Sequence, residues 1–142
     1  MTESQIEYSV FTMADYIEVY KLWDGMPGIG MSSADSEEAI AKYLARNPGF
    51  SMVARMDGKV VGAVLGGHDG RRGYLQHLAV ASEARHHGIG KTMVEKCLTA
   101  LAAEGIRRCH IFVFSDNETG LGFWEAAGWF RRDELLIMSH DM

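Results

Sequence analysis

The chain has 142 residues, of which 47% are hydrophobic, and a formal net charge of −5 at pH 7. This length and composition suit one domain with one hydrophobic core, and we expect residues 1–142 to form it. An acidic chain is not typical of a nucleic-acid-binding protein, which normally carries a basic face. The polar N-terminus does not resemble a signal peptide, and no apolar run approaches the roughly 20 residues of a membrane span. We therefore expect a cytoplasmic protein that binds neither nucleic acid nor a membrane.

The first half of the chain contains clear start and turn signals. Thr12 and Asp35 each stand three residues before an acidic side chain, which is the spacing of a capping box at a helix start. The dipeptide Asp57-Gly58 between two apolar runs predicts a hairpin turn. In order, the predicted elements are a strand at 6–11, helices at 12–23 and 35–46, and strands at 50–56 and 59–66.

The second half alternates strands with helices. A turn at 68–73 leads to a fourth strand, and an apolar stripe then predicts a long helix that ends at Gly105. This order indicates an α/β protein with a mixed sheet that is antiparallel in its first half. The predicted elements are a strand at 74–80, a helix at 89–104, a strand at 106–114, a helix at 119–127 and a last strand or strand pair at 129–140.

The segment from Leu78 to Thr92, LAVASEARHHGIGKT, carries the strongest functional signal. It joins a strand to the start of a helix, where unpaired backbone N–H groups and the positive end of the helix dipole favour an anion. Gly88 and Gly90 let the backbone approach a phosphate group closely. The segment therefore predicts a pyrophosphate site at this helix N-terminus.

Two phosphate-loop motifs compete for this segment. Gly90-Lys91-Thr92 matches the end of the G-x-x-x-x-G-K-[ST] loop of ATP- and GTP-binding proteins, but Arg85 stands where the first glycine is needed. No second α/β repeat is present to build the larger parallel sheet of such proteins. Arg85, Gly88 and Gly90 instead match R-x-x-G-x-G, and the segment resembles the pyrophosphate loop of the GCN5-related N-acetyltransferase (GNAT) superfamily.

The resemblance continues towards the C-terminus. That superfamily often follows its fifth strand with N-x-x-A-x-x-x-Y-x-x-x-G-F, and residues 117–129 here are NETGLGFWEAAGW. The asparagine, the glycine and the final aromatic are in register, whereas Gly120 replaces the alanine and Trp124 replaces the tyrosine. The resemblance spans residues 6–142, and the turn at 66–73 is similar to that of small bacterial members with unassigned substrates.

The resemblance implies both a fold and an activity. The GNAT fold is α/β, with a mixed central sheet of about six to seven strands, about four helices, and parallel fourth and fifth strands that splay apart. The implied activity is acetyl-CoA-dependent N-acetyl transfer from the CoA thioester to a primary amine by direct attack, without a metal. Pantetheine would lie along the fourth strand and pyrophosphate in the loop. The implied cofactor-binding residues are Leu78, Ala79, Val80, Arg85, His86, His87, Gly88, Ile89, Gly90, Lys91, Asn117 and Trp124.

The proton-transfer groups are harder to assign. A lysine-type amine has a pKa near 10.4, so a group that removes its proton matters at neutral pH. Family members often place this base on the fourth strand, at the positions held here by Tyr74 and Gln76, which would act through a water. His77 directly follows Gln76 in this strand, and the strand period of two places it on the opposite face. His68 and Asp69 suit a solvated turn.

Trp124 stands where family members commonly use a tyrosine to protonate the leaving thiolate, and an indole N–H is not a usable acid. We expect Trp124 to form an apolar wall against the cofactor instead. Because a thiol has a pKa near 8.5, the thiolate is a tolerable leaving group without a positioned acid. An active enzyme is therefore expected, and a catalytically weak acyl-CoA-binding module is the alternative.

The acceptor is expected to enter over the loop between the first two helices. Trp23, Asp24, Met26 and Ile29 are the candidates to line that cleft. Acidic and basic side chains near it give conflicting signals, so a small-molecule amine and a peptide amine are both open, as is a homodimer. The adjacent histidines of the phosphate loop diverge and lack a third ligand, so no metal is expected.

Overall fold

A computed structural model describes residues 5–142 and divides them into two compact units, residues 5–112 and 113–142. Within these residues no helix combines the length and apolar character needed to cross a bilayer. The strands, all in the first unit, are β1 (Ile6–Val10), β2 (Met52–Met56), β3 (Lys59–His68), β4 (Gly73–Val80) and β5 (Cys109–Ile111). The helices are α1 (Tyr16–Trp23), α2 (Glu37–Arg46), α3 (Ile89–Ala103) and, in the second unit, α4 (Glu118–Ala126).

The five strands form one mixed sheet in the order β1-β2-β3-β4-β5. The pairs from β1 to β4 are antiparallel, as the sequence predicts, whereas β4 and β5 are parallel, as the family resemblance implies. The parallel pairing joins Gly73–Leu75 to β5 and stops there. Among residues 5–142, β4 from Gln76 to Val80 therefore pairs with β3 alone, and no strand pairs with its other edge.

The expectation of six to seven strands is wrong for the described residues, which contain five. Residues 129–140, predicted as a final strand or strand pair, contain no strand, and β5 is shorter than the predicted run of 106–114. In the C-terminal segment Leu135 N donates to Arg132 O at 3.1 Å, which makes a turn. The apolar run that follows has no alternating pattern and pairs with no strand of the described part of the chain, and an unpaired strand is not stable in water.

The helix starts depend on short polar caps. Thr12 N donates to Asp15 Oδ2 at 3.0 Å, as the predicted capping box requires. Asp35 was expected to be the N-cap of α2, but Ser36 holds that position. Asp35 instead caps the short turn before it, where its Oδ2 accepts from Ser32 N at 3.0 Å. One carboxylate oxygen of Asp35 is therefore left for another partner.

The core has a layer on each face of the sheet. On one face α1 and α2 pack their apolar residues against β3, and this layer includes Trp23 and Ala63, both 0% exposed. On the other face lies α3, because a Cβ added to Gly62 would meet Met93 Cε at 2.9 Å. Since Gly62 and Ala63 are adjacent, the strand period of two separates the two layers.

Candidate active site

The segment between β4 and α3 presents a cluster of unpaired backbone donors. Among residues 5–142, no oxygen accepts a hydrogen bond from the backbone N–H groups of residues 86–91. The first bond of the helical ladder runs from Thr92 N to Gly88 O at 3.0 Å. His86 and Gly88 have φ values of 67° and 73°, and left-handed residues in such a turn aim successive N–H groups to one side. These residues therefore form a backbone concavity with unpaired donors, and binding of an anion there stays a prediction.

The side chains around this concavity are basic. Arg85, His86, His87 and Lys91 are all exposed, and α3 has no acidic residue in its first turn. A helix N-terminus is typically stabilised by about 0.3–1 kcal/mol when a negative charge lies beside it. Here Lys91 occupies the first turn instead, so the helix start lacks that stabilising charge and a bound anion would supply it.

Gly88 leaves the mouth of the concavity open. A Cβ added to Gly88 would meet no atom within 4 Å, so crowding does not require the glycine. Its φ of 73° does favour glycine, because other residues adopt that conformation at a cost. The backbone at Gly88 is thus exposed to an approaching phosphate group.

The Arg85 side chain contacts two segments. One is β4, which is predicted to bind the cofactor, and the other is the loop after α1, which is predicted to bind the acceptor. Its Nε donates to Val80 O at 3.2 Å, and its Nη2 lies 3.7 Å from Met26 Sδ, in the loop after α1. These contacts use part of the guanidinium, which has five N–H donors. The remaining donors are available to a phosphate group beside the concavity.

β4 contains a bulge at its midpoint. Between the pairs Gln76–Leu65 and Ala79–Ala63, β4 has two residues where β3 has one. His77, the first of those two residues, has a φ of 55°. The bulge therefore adds one residue to the alternation of β4, so residues before and after it no longer follow one period of two.

The bulge places His77 on the face covered by α1 and α2, which corrects the expectation that it points to the opposite face. His77 Nε2 lies 2.9 Å from Asp35 Oδ1. The imidazole also stands edge-on to the Trp23 ring, with ring centroids 5.1 Å apart, and Trp23 Nε1 donates to His77 O at 2.9 Å. The strict alternation fails because the extra residue of the bulge falls at this position.

Tyr74 and Gln76 line a pocket of about 190 Å³ beside the C-terminal end of α2. Pockets for whole small molecules usually enclose about 300–1,000 Å³, so this one suits a single side-chain-sized group. Tyr43, in α2, also lines this pocket. Burial raises the pKa of Tyr43 to about 12, so its hydroxyl stays protonated at neutral pH. The other lining residues are Arg46, Asn47, Gly67, His68 and Asp69.

The four residues predicted to line the acceptor cleft differ in exposure. Asp24 is exposed, whereas Met26 and Ile29 are half-buried and pack against the core under α1 and α2. Trp23 is 0% exposed, and its indole supports the backbone of His77 from within the core. A role for these residues in acceptor binding stays a prediction.

The second unit holds the last two residues predicted to contact the cofactor. Asn117 is the N-cap of α4, and its Oδ1 accepts from Gly120 N at 3.0 Å. A Cβ on Gly120 would lie 2.5 Å from Asn117 Nδ2 in this side-chain conformation. Trp124 packs against Phe123 and Trp129, with ring centroids 5.1 and 4.8 Å apart. Cofactor contacts of Asn117 and Trp124 stay predictions.

Known proteins share both the sequence pattern and the fold. The sequence model of the acetyltransferase (GNAT) family matches residues 16–129, and an acetyltransferase of Yersinia enterocolitica is 30% identical over 132 residues, which cover 93% of each chain. The solved structure of the PaiA N-acetyltransferase of Thermoplasma acidophilum in complex with coenzyme A has a TM-score of 0.71 at 18% identity and covers 86% of this chain and 87% of that one. The aminoglycoside N-acetyltransferase AAC(6')-Iy in complex with CoA has a TM-score of 0.77 at 15% identity, with coverages of 99% and 98%. The chain therefore belongs to the acetyltransferase (GNAT) family.

Proposed function

We propose that the protein binds acetyl-CoA and transfers the acetyl group to a primary amine by direct attack on the thioester. The observation that carries this proposal is the concavity of unpaired N–H groups at residues 86–91, which basic side chains surround. Such a helix N-terminus suits a pyrophosphate. Its position, directly after the fourth strand and before the long helix, is the one that the family resemblance implies.

The open edge of β4 supports binding of the pantetheine arm. Residues 76–80 pair with β3 alone, so an extended chain with amide groups can add to the other edge as a strand would. We assign the backbone of Leu78–Val80 to pantetheine and residues 85–91 to pyrophosphate, with Asn117 and Trp124 as further cofactor contacts. Because the family match at 16–129 extends over both compact units, we propose one catalytic domain over residues 1–142, in a cytoplasmic protein.

The pocket beside Tyr74 and Gln76 is the proposed entry of the acceptor. Arg46, Asn47 and Asp69 bring polar groups to its wall, and its size admits a side-chain-sized group. Tyr74 and Gln76 would order a water or the amine itself there. Two of the solved relatives carry names that mention N-acetylation, which supports an amine acceptor, either a small molecule or a peptide.

Calorimetry with acetyl-CoA, CoA and ATP tests the cofactor assignment. Acetyl-CoA and CoA share the pantetheine and pyrophosphate groups, so we expect similar dissociation constants for both. ATP has phosphates but no pantetheine to pair with β4, so we expect it to bind at least about tenfold more weakly, a difference of about 1.4 kcal/mol. Equal affinity for ATP would contradict the assignment and favour a nucleotide-binding protein.

Release of free thiol from acetyl-CoA across a panel of amines tests turnover. The panel contains a polyamine, an aminoglycoside, an amino acid and a peptide with a free N-terminus. Burial raises the pKa of Cys97 to about 12 and that of Cys109 to about 11, so the protein's own thiols contribute little background to a thiol reagent. We expect thiol release, with an acetylated product by mass spectrometry, for at least one amine. Binding of acetyl-CoA without any release would favour the acyl-CoA-binding module.

Trp124→Phe separates an apolar wall from a catalytic indole. A positioned acid typically contributes about 10²–10⁴-fold to a rate, so a wall residue should cost less than about tenfold in kcat on change to phenylalanine. Trp129→Phe, in the same aromatic cluster, is the matched control for lost packing. Loss of turnover in Trp124→Phe alone, with acetyl-CoA binding and stability unchanged, would contradict the wall.

A further inference from the structure

Asp35 is a buried carboxylate held by three segments of the chain. It is 4% exposed, and its Oδ2 accepts from Ser32 N at 3.0 Å. Tyr16, in α1, donates its hydroxyl to Asp35 O at 2.7 Å. Oδ1 lies 2.9 Å from Nε2 of His77, in β4. The position of this carboxylate is therefore fixed, and the ring of His77 is fixed with it.

This contact determines where the ring of His77 carries its proton. An ionised carboxylate can only accept, so Nε2 must donate, and in the neutral ring Nδ1 then keeps a free lone pair. Nδ1 has no hydrogen-bond partner among residues 5–142, although every buried side-chain nitrogen and oxygen in that range has one. Nδ1 is therefore accessible at the surface, in a side chain that is 18% exposed.

The backbone of His77 is held in a conformation that non-glycine residues adopt at a cost. Its φ of 55° lies in the left-handed region, and such residues persist where surrounding contacts determine them. Here the Trp23 indole bonds the His77 carbonyl and Asp35 bonds the ring. The strained bulge keeps the imidazole on the sheet face where Gln76, the preceding residue, lines the proposed acceptor pocket.

From this geometry we infer that His77 Nδ1 accepts the proton of the acceptor amine, and that Asp35 is a positioning residue that holds the ring and its tautomer. The inference rests on the proposed acetyl transfer. The ammonium R–NH₃⁺ gives one proton to Nδ1, and the imidazolium, paired with the Asp35 carboxylate, releases that proton to water. The amine lone pair forms the C–N bond to the thioester carbonyl carbon, the C–S bond breaks, and the sulfur leaves with the bonding pair. The thiolate then takes the second proton from nitrogen, which gives an amide and a free thiol.

His77→Asn removes the proposed proton acceptor while it keeps a residue that tolerates the left-handed backbone of position 77. Asparagine adopts the left-handed conformation readily and can bond Asp35, but it cannot accept a proton. With the amine identified by thiol release, we expect kcat to fall about 10²–10⁴-fold, with the acetyl-CoA dissociation constant unchanged. His77→Gly also suits the left-handed backbone, and added imidazole should restore part of its rate, which a purely structural role would not allow. Wild-type kcat in His77→Asn, or a slow His77→Gly without rescue by imidazole, would overturn the inference.

Asp35→Asn tests the positioning role with a readout that does not need turnover. The amide N–H of asparagine can donate to Nε2, which would move the ring proton to Nδ1 and remove its lone pair. In ¹⁵N spectra of histidine-labelled protein, we expect the Nε2–H tautomer of His77 in the wild type and the Nδ1–H tautomer in Asp35→Asn. A wild-type ring with its proton on Nδ1 would overturn the inference.

The inference and the proposed function fail in different ways. In the wild type, titration with acetyl-CoA should shift the ring signals of His77, because the neighbouring Leu78–Val80 backbone is assigned to pantetheine. Absence of acetyl-CoA binding by calorimetry would contradict the proposed function. Normal binding without a shift at His77 would contradict the assignment of Leu78–Val80 to pantetheine. Normal binding and turnover with full activity in His77→Asn would contradict the inference alone. A wild type that binds acetyl-CoA but acetylates no amine would overturn both.

Discussion

Gly88→Asp is expected to weaken acetyl-CoA binding by about 100-fold or more. The substitution puts a carboxylate beside the unpaired N–H groups of residues 86–91, where it can accept their hydrogen bonds and repel a pyrophosphate. Losing about two charge-assisted hydrogen bonds, at about 1.5–3 kcal/mol each, accounts for at least that factor. The helix itself should not be destabilised, because a negative charge at its N-terminus is favourable.

Gly88→Asn is the matched control, because it has the same shape and differs only in charge. Both side chains tolerate the left-handed conformation of Gly88, and neither meets a neighbouring atom at its Cβ. Calorimetry should show a small loss for asparagine and a large one for aspartate. Equal affinities for the two variants would show that charge at this helix start is irrelevant, and the pyrophosphate assignment would then fail.

Gly66→Ala is expected to lower the free energy of unfolding by about 3 kcal/mol, at the upper end of the usual cost of overpacking. An added Cβ would lie 2.2 Å from Phe50 O, and a backbone carbonyl cannot rotate away as a side chain can. Ser51 Oγ accepts from Gly66 N at 2.9 Å and donates to Gly66 O at 3.3 Å, so the two segments cannot separate without losing both bonds. β3 would have to shift against the residues that precede β2.

Urea denaturation measures this effect, and Gly122→Ala is the control. Gly122 lies inside α4, has no positive φ, and an added Cβ would meet nothing within 4 Å. Alanine should therefore raise stability there by about 0.5–1 kcal/mol, the usual gain over glycine inside a helix. A Gly66→Ala variant as stable as the wild type would show that the Phe50 and Gly66 backbones are not locked together.

Periodic patterns and loop chemistry predict much of this molecule. The apolar runs of β2 and β3 with Asp57-Gly58 between them, the apolar stripe of α3, and the glycine-containing loop before α3 depend on neighbours in sequence, so they can be predicted from the sequence. The family resemblance added the parallel pairing of β4 with β5, which is confirmed. The prediction of a final strand was wrong because the apolar run after Arg132 shows no alternation and has no partner strand among the described residues.

The pair of Asp35 and His77 could not be predicted in this way. The two residues are far apart in sequence, and the contact requires a bulge whose position no local pattern marks. The sequence gives Asp35 a capping role that is only half right, because one carboxylate oxygen caps a turn and the other meets the imidazole. A single histidine after Gln76 in a strand is a weak signal, and a φ of 55° for it is not visible in sequence.

An open strand edge is also an aggregation hazard, because its unpaired groups can template pairing with another chain. In β4 the left-handed residue at His77 interrupts the ladder directly after Gln76, and only Leu78–Val80 follow before the strand ends. A rigid strand of a second protein could not keep its register across that break, whereas a thin, flexible chain such as pantetheine can follow it. On the proposed assignment, the irregularity of β4 disfavours pairing with a regular strand at this edge and leaves the edge to the pantetheine arm.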